Sequence, residues 1–93
     1  MREMFEWDNR KALLNLKKHA ISFEEAMTVF MDPFSLTIHD PLHSELEERF
    51  VIIGESLKKR CLVVVHSDRG GRIRLISARK ANSRERISYE KAR

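Results

Sequence analysis

The chain is poor in the residues that staple, break or bend a fold: its 93 residues include one cysteine, two prolines and three glycines. With Cys61 alone, no internal disulfide can form. Its place beside Leu62, Val63, Val64 and Val65 marks it as a small apolar residue of the interior rather than a nucleophile. No apolar run approaches the roughly 20 residues that span a bilayer. The start of the chain, with Glu3, Glu6 and Asp8, lacks the basic and apolar stretches of a signal peptide. A soluble, cytoplasmic protein with no membrane partner is expected. There is no Gly-x-Ser-x-Gly turn for a serine nucleophile, no glycine-rich loop for a nucleotide, and no cysteine cluster or His-Glu-x-x-His segment for zinc. His39 and His43 share a stretch with Asp40, Ser44 and Glu45, but Pro41 breaks the helix on which a His-x-x-x-His spacing would hold a metal. Neither a metal nor a cofactor is expected.

What is abundant is charge, unevenly placed. Residues 1–48 hold five Lys/Arg against ten Asp/Glu, residues 49–93 hold thirteen against four, and the net charge is +4. Nine of those thirteen cations are arginine, whose planar fork matches phosphate better than the point charge of lysine. The basic half suits an anionic ligand, nucleic acid foremost. Pairing with the acidic half, or plain solvation, accounts for the charge equally well. A chain this short cannot support two cores, so residues 1–93 are expected to form a single domain.

The hydrophobic period changes along the chain. Asp8 can cap a helix running to about Lys18, with Leu13, Leu16 and Ala12 as its inner face. Ser22 and Glu25 form a capping box for a second helix, in which Phe23, Ala26, Met27 and Phe30 recur at helical spacing until Asp32–Pro33 stops it. Strands follow at Leu36–Ile38, Glu48–Gly54, Cys61–His66 and Arg72–Lys80, the last two joined by a hairpin turn at Asp68–Gly71. Alternation places Ile73, Leu75, Ser77 and Arg79 on one face of the last strand and Arg72, Arg74, Ile76, Ala78 and Lys80 on the other. Asn82 or Ser83 can cap a final helix whose only apolar or aromatic members are Ile87, Tyr89 and Ala92. The expected fold is α+β: two N-terminal helices, a four-stranded antiparallel sheet and a C-terminal helix, with the helices gathered on one face.

Arg74, Arg79, Lys80, Arg84, Glu85, Arg86 and Tyr89 cluster where the last strand meets the last helix, and Glu85 and Tyr89, four apart, share a helix face. Cutting RNA requires a base for the 2′-hydroxyl proton, an acid for the leaving 5′-oxygen and fixed positive charge around the phosphorus. Arg79 and Arg74 are the candidates for phosphate, with Arg49, Arg84 and Arg86 as further cations. Glu85 is the candidate base and Tyr89 or Lys80 the candidate acid. His66, closing the third strand, is a competing acid. The structural alternatives are that Glu85 only caps its helix, that Tyr89 packs on the sheet, and that His66 is a half-buried framework residue.

An ordered set of residues extends this reading over nearly the whole chain: Phe5–Glu6–Trp7–Asp8, then Lys11, Asn15, Lys18–His19 and Phe23–Glu24–Glu25–Ala26, then Arg72–Ile73–Arg74, Ile76–Ser77–Ala78–Arg79 and Arg84–Glu85–Arg86 with Tyr89. In this set the chain resembles the BrnT family, toxins of bacterial type II toxin–antitoxin systems. The resemblance implies a RelE-like ribonuclease fold, metal-independent cleavage of cellular RNA and arrest of growth. It also implies neutralisation by a BrnA-type antitoxin, through which alone operator DNA is bound. The family's basic strand and C-terminal helix fall on Arg74, Arg79, Lys80, Arg84, Glu85 and Tyr89. The alternatives from other classes are a regulator that binds nucleic acid without cutting it, and a structural domain whose basic face receives an acidic protein.

Overall fold

The computed structural model describes residues 2–40 and 47–93. Its centre is a five-stranded sheet in the order β1-β5-β4-β3-β2, made of β1 (Phe5–Glu6), β2 (Leu36–His39), β3 (Arg49–Glu55), β4 (Cys61–Arg69) and β5 (Arg72–Lys80). Strands β2 to β5 form the expected antiparallel series. The sheet as a whole is mixed rather than antiparallel, because Phe5 and Glu6 pair in parallel with Ile73 and Arg74. Two residues are too few to show alternation, and β1 is held by the buried Phe5 side chain together with charge. Arg72 donates to the Phe5 carbonyl at 3.1 Å, and Glu6 accepts from Arg74 Nη1 at 3.1 Å and lies 3.3 Å from Arg72 Nε. The β4–β5 hairpin turns on Gly70 and Gly71 at φ 55° and 85°, values that glycine adopts without steric cost.

Helices α1 (Asn9–His19) and α2 (Phe23–Thr28), the latter continued by a 3-10 turn at Val29–Met31, cover one face of the sheet. Between them lies a core of Phe5, Ile21, Phe23, Ala26, Val29, Ile52, Leu62, Val64, Leu75 and Ala78. Burial of each large member contributes roughly 1.5–3 kcal/mol. Asp8 caps α1 by accepting from the Arg10 and Lys11 amides, and Ser22 caps α2 by accepting from Glu25 N at 3.0 Å. The Glu25 carboxylate does not return to close a box. It is drawn instead to Arg60 and to the Ser56 hydroxyl.

The inner face of α1 differs from the expectation. Leu13 and Leu16 are 68% and 47% exposed, and the buried residue is Asn15. Its Nδ2 donates to the carbonyls of Ile21 and Ala78 at 2.9 and 2.8 Å, and its Oδ1 accepts from Ala78 N at 3.0 Å. The helix is fastened to β5 by an amide that supplies backbone-like hydrogen bonds, with only Ala12 beside it in the apolar layer. Helix α3 (Ser83–Ala92) is not gathered with the other two. It borders the opposite face of the sheet, anchored by Tyr89, its one buried residue.

Candidate functional site

Face assignment on β5 is set by an irregularity. Val65 is paired with Ser77 and His66 with Leu75, which leaves Ile76 unpaired as a bulge. Up to Leu75 the odd-numbered residues face the helices; beyond the bulge Ala78 does so instead, and Leu75 and Ala78 are both in the core. Ser77 and Arg79 are thereby turned to the open face, so the expected grouping of Ile73 and Leu75 with Ser77 and Arg79 is broken between 75 and 77. On that open face Val51, Val63 and Val65 form an apolar floor. Ser77, Arg79 and Glu85 bound it on one side and Ile38, His39 and Asp40 on the other, enclosing a shallow cleft of about 390 Å³.

Arg79 and Glu85 meet at the rim of this cleft as a two-pronged pair, Nη1 to Oε1 and Nη2 to Oε2, both at 2.8 Å. Glu85 Oε1 also accepts from Asn82 N at 2.9 Å, and Asn82 Oδ1 accepts from Glu85 N at 2.8 Å, so the expected capping box of α3 is complete. The Arg79 guanidinium, and then the Asn82 amide, hold the Glu85 carboxyl below the ordinary glutamate range against the opposing effect of burial. The same contact raises Arg79. At rest the site is a guanidinium aimed into a cleft and kept in one orientation by a fully ionised carboxylate.

The other expected residues are distributed more widely. Tyr89 does not converge with Glu85; its hydroxyl donates to Asp32 Oδ2 at 2.5 Å, and burial together with that carboxylate pushes the phenol up to about 12. Asp32 is a hub, accepting also from Glu55 N at 2.8 Å and Phe34 N at 2.9 Å. Despite burial, these bonds hold its carboxyl low. His66 lies on the helix-side face, 4.9 Å from Phe30 and 5.7 Å from Phe50 between ring centroids, within a line of rings that runs from Phe5 to His39. Burial lowers its pKa to about 4, and its Nε2 has no hydrogen-bond partner among the described residues. It is separated by the sheet from Arg79.

Arg74 is engaged by Glu6. Arg49 opens β3 opposite Ser67, which is in turn the partner of Arg74, so the two arginines stand at one level of the sheet. Arg84 is exposed on the first turn of α3. Lys80 and Arg86 line a second cleft of about 320 Å³ with Cys61, Tyr89, Glu90 and Arg93. The Cys61 thiol there is pushed up by burial. What the sequence does not place at this cleft is the valine floor and the β2 end with Ile38, His39 and Asp40, the last two weighed only for metal; the β2–β3–β4 register brings them to Arg79, and local sequence carries no signal for it. His43, Ser44 and Glu45, weighed with His39 for metal, lie outside the described residues.

The family model described as the ribonuclease toxin BrnT of type II toxin–antitoxin systems matches residues 7–85. The crystal structure of the Brucella abortus ribonuclease toxin BrnT is similar to this chain with a TM-score of 0.63 at 22% identity, covering 85% of this chain and 96% of that one. That likeness shows the fold. Comparison with curated proteins gives no match.

Proposed function

Because the chain belongs to the BrnT family of ribonuclease toxins of type II toxin–antitoxin systems, we propose that it is a metal-independent endoribonuclease whose cleft on the open face of the sheet cuts cellular RNA. The observation that carries this reading is the two-pronged Arg79–Glu85 pair at the rim of that cleft. A phosphodiester entering the cleft competes with Glu85 for the guanidinium. As Arg79 turns to the phosphate, the Glu85 carboxylate loses its main stabilising partner, its pKa rises towards the ordinary value, and it becomes a competent base. Glu85 then takes the proton of the 2′-hydroxyl and the 2′-oxygen bonds to phosphorus. The bond to the 5′-oxygen breaks, and that oxygen takes a proton from water, because Lys80 follows Arg79 onto the other strand face and lines the second cleft. Arg79, with Arg49 as a further cation on the same face, offsets the charge that builds on the phosphoryl oxygens. Tyr89, committed to Asp32, and His66, beneath the helices, frame the site without touching the substrate.

In this reading a BrnA-type antitoxin silences the enzyme in the cytoplasm and alone carries the operator contact, and released toxin stops translation and growth. The test is cleavage of a naked structured RNA in excess EDTA by the wild type, Arg79→Ala and Glu85→Gln, with RNA binding measured alongside. Cleavage by the wild type that drops at least a hundredfold in both variants, while Glu85→Gln still binds RNA, is expected. Binding without cleavage by the wild type, unrelieved by ribosomes or divalent metal, would replace the enzyme with a nucleic-acid-binding regulator.

A further inference from the structure

Helix α1 wears its apolar side outwards. Leu13, Leu14 and Leu16 are 68%, 63% and 47% exposed, while the face turned to the sheet is Ala12 and the hydrogen-bonded amide of Asn15. The helix also carries Arg10, Lys11, Lys17 and Lys18 without a single carboxylate between Asn9 and His19, in the half of the chain that is otherwise acidic. At 100° per residue, Arg10 and Lys17 fall between Leu13 and Leu14, so cations and leucines are interleaved on one surface rather than segregated. A groove flanks each side of it. One, of about 330 Å³, is lined by Trp7, Ala12, Leu13, Leu16 and Phe23, with Glu24 at its α2 side; the other, of about 220 Å³, by Lys11, Leu14, Lys18, His19, Ile76 and Ser77.

We propose that the outer face of α1 is the docking surface for an acidic amphipathic helix of the antitoxin, whose apolar side chains cover the leucines while its carboxylates meet Arg10, Lys11, Lys17 and Lys18. The identity of the partner rests on the toxin reading above; the chemistry of the segment rests on this surface. Three exposed leucines on one short helix ask for an apolar cover, and four cations, of which Lys11 lies near Asp8, ask for an anionic one. RNA supplies only the second. A second copy of this chain supplies only the first, because two such helices face to face would set like charges against each other.

The location also explains how docking here reaches the active cleft. Ser77 lines both the groove beside Leu14 and the cleft that holds Arg79. Strand β1 covers β5 only at Ile73 and Arg74, so among the described residues no other strand closes the edge near Ile76 and Ser77. A chain that leaves the α1 helix over Ile76 therefore arrives at Arg79.

The test uses the full-length toxin and its antitoxin, with Leu13→Ser/Leu16→Ser, Lys17→Glu/Lys18→Glu and the control Ile87→Ser, an exposed apolar residue of α3. Antitoxin binding should weaken at least tenfold in both α1 variants and stay unchanged in Ile87→Ser. The lysine variant should also lose part of the salt dependence. Cleavage of naked RNA should be the same in all, and thermal melting confirms that each is folded. Wild-type antitoxin affinity in both α1 variants would overturn the proposal. So would cleavage or RNA binding that falls while antitoxin binding holds, a toxin dimer in sedimentation that the leucine changes dissolve, or adsorption to anionic phospholipid vesicles as the only property lost. Absence of cleavage by the wild type would count against the nuclease reading and leave the antitoxin comparison readable.

Discussion

The side chain of Asn15 engages both backbone groups of Ala78, accepting from its N–H at 3.0 Å and donating to its carbonyl at 2.8 Å. A helix whose leucines face outwards is thereby fixed to the strand that carries Arg79. The amide also satisfies a stretch of β5 that no neighbouring strand covers on that side.

Replacing Asn15 by alanine strands the N–H and carbonyl of Ala78 and the carbonyl of Ile21 in a buried setting. The expected cost is about 2–4 kcal/mol, large against the stability of a small domain. Asn15→Asp, which places an anion against two carbonyl oxygens, should cost at least as much at neutral pH. Urea unfolding measures both, and a loss below about 0.5 kcal/mol for either would remove Asn15 from this role.

Arg79→Lys keeps the charge and loses the fork. An ammonium cannot bridge two carboxylate oxygens or two phosphoryl oxygens in the plane that Glu85 defines, so RNA cleavage should fall at least tenfold while RNA binding changes less than threefold, about 0.7 kcal/mol. Single-turnover rates and filter binding on the same RNA would separate the two. Equal turnover by lysine would show that point charge suffices.

His66 makes the fold sensitive to mild acid. Its folded pKa, lowered by burial to about 4, lies below the ordinary value of 6.5, so between those limits the unfolded chain binds the extra proton. Stability should be unaffected above about pH 6.5 and fall by up to about 3 kcal/mol as the pH drops to about 4. His66→Phe, which keeps a ring between Phe30 and Phe50, should flatten that interval. Denaturant midpoints at pH 7 and 4.5 give the comparison, and an undiminished slope in the variant would assign the effect to other groups.

Gly54 is needed for closeness rather than for its backbone angles. A Cβ there would lie 2.9 Å from Val29 Cγ1, 3.1 Å from Ser35 Cβ and 3.2 Å from Asp32 Oδ2. Gly54→Ala should cost about 1–3 kcal/mol as the 3-10 turn gives way, and disturb the carboxylate that receives Tyr89. A melting temperature within a degree of the wild type would show that the turn yields freely.

Sequence reasoning succeeded where the signal is local. The caps at Asp8, Ser22 and Asn82, the stop at Pro33, the Gly70–Gly71 turn and the strands β2 to β5 depend on neighbours in the chain, and periodicity or side-chain chemistry announces them. It failed where pairing partners are distant. The parallel strand at Phe5–Glu6 exists through arginines some 67 residues away. The inner face of α1 is not the one its leucines suggest, because the distant Ala78 backbone selects Asn15 instead. At the site, the Arg79–Glu85 contact could be read from proximity in sequence. The commitment of Tyr89 to Asp32 and of His66 to an aromatic line could not, since Asp32 and Phe30 come from the other end of the chain.

The unpaired Ile76 acts on this sheet as an inserted base acts on a reading frame. Every residue after it is read on the opposite side from the one its position would give. Pair it in an unbroken ladder instead, and the four residues that follow exchange places: Lys80 would stand over the valine floor and Arg79 would point among the side chains beneath α1. A lineage could therefore silence this site while preserving each of its residues, and inspection of the residues alone would miss the loss. The arginine is specified less by its own codon than by the parity of the strand before it.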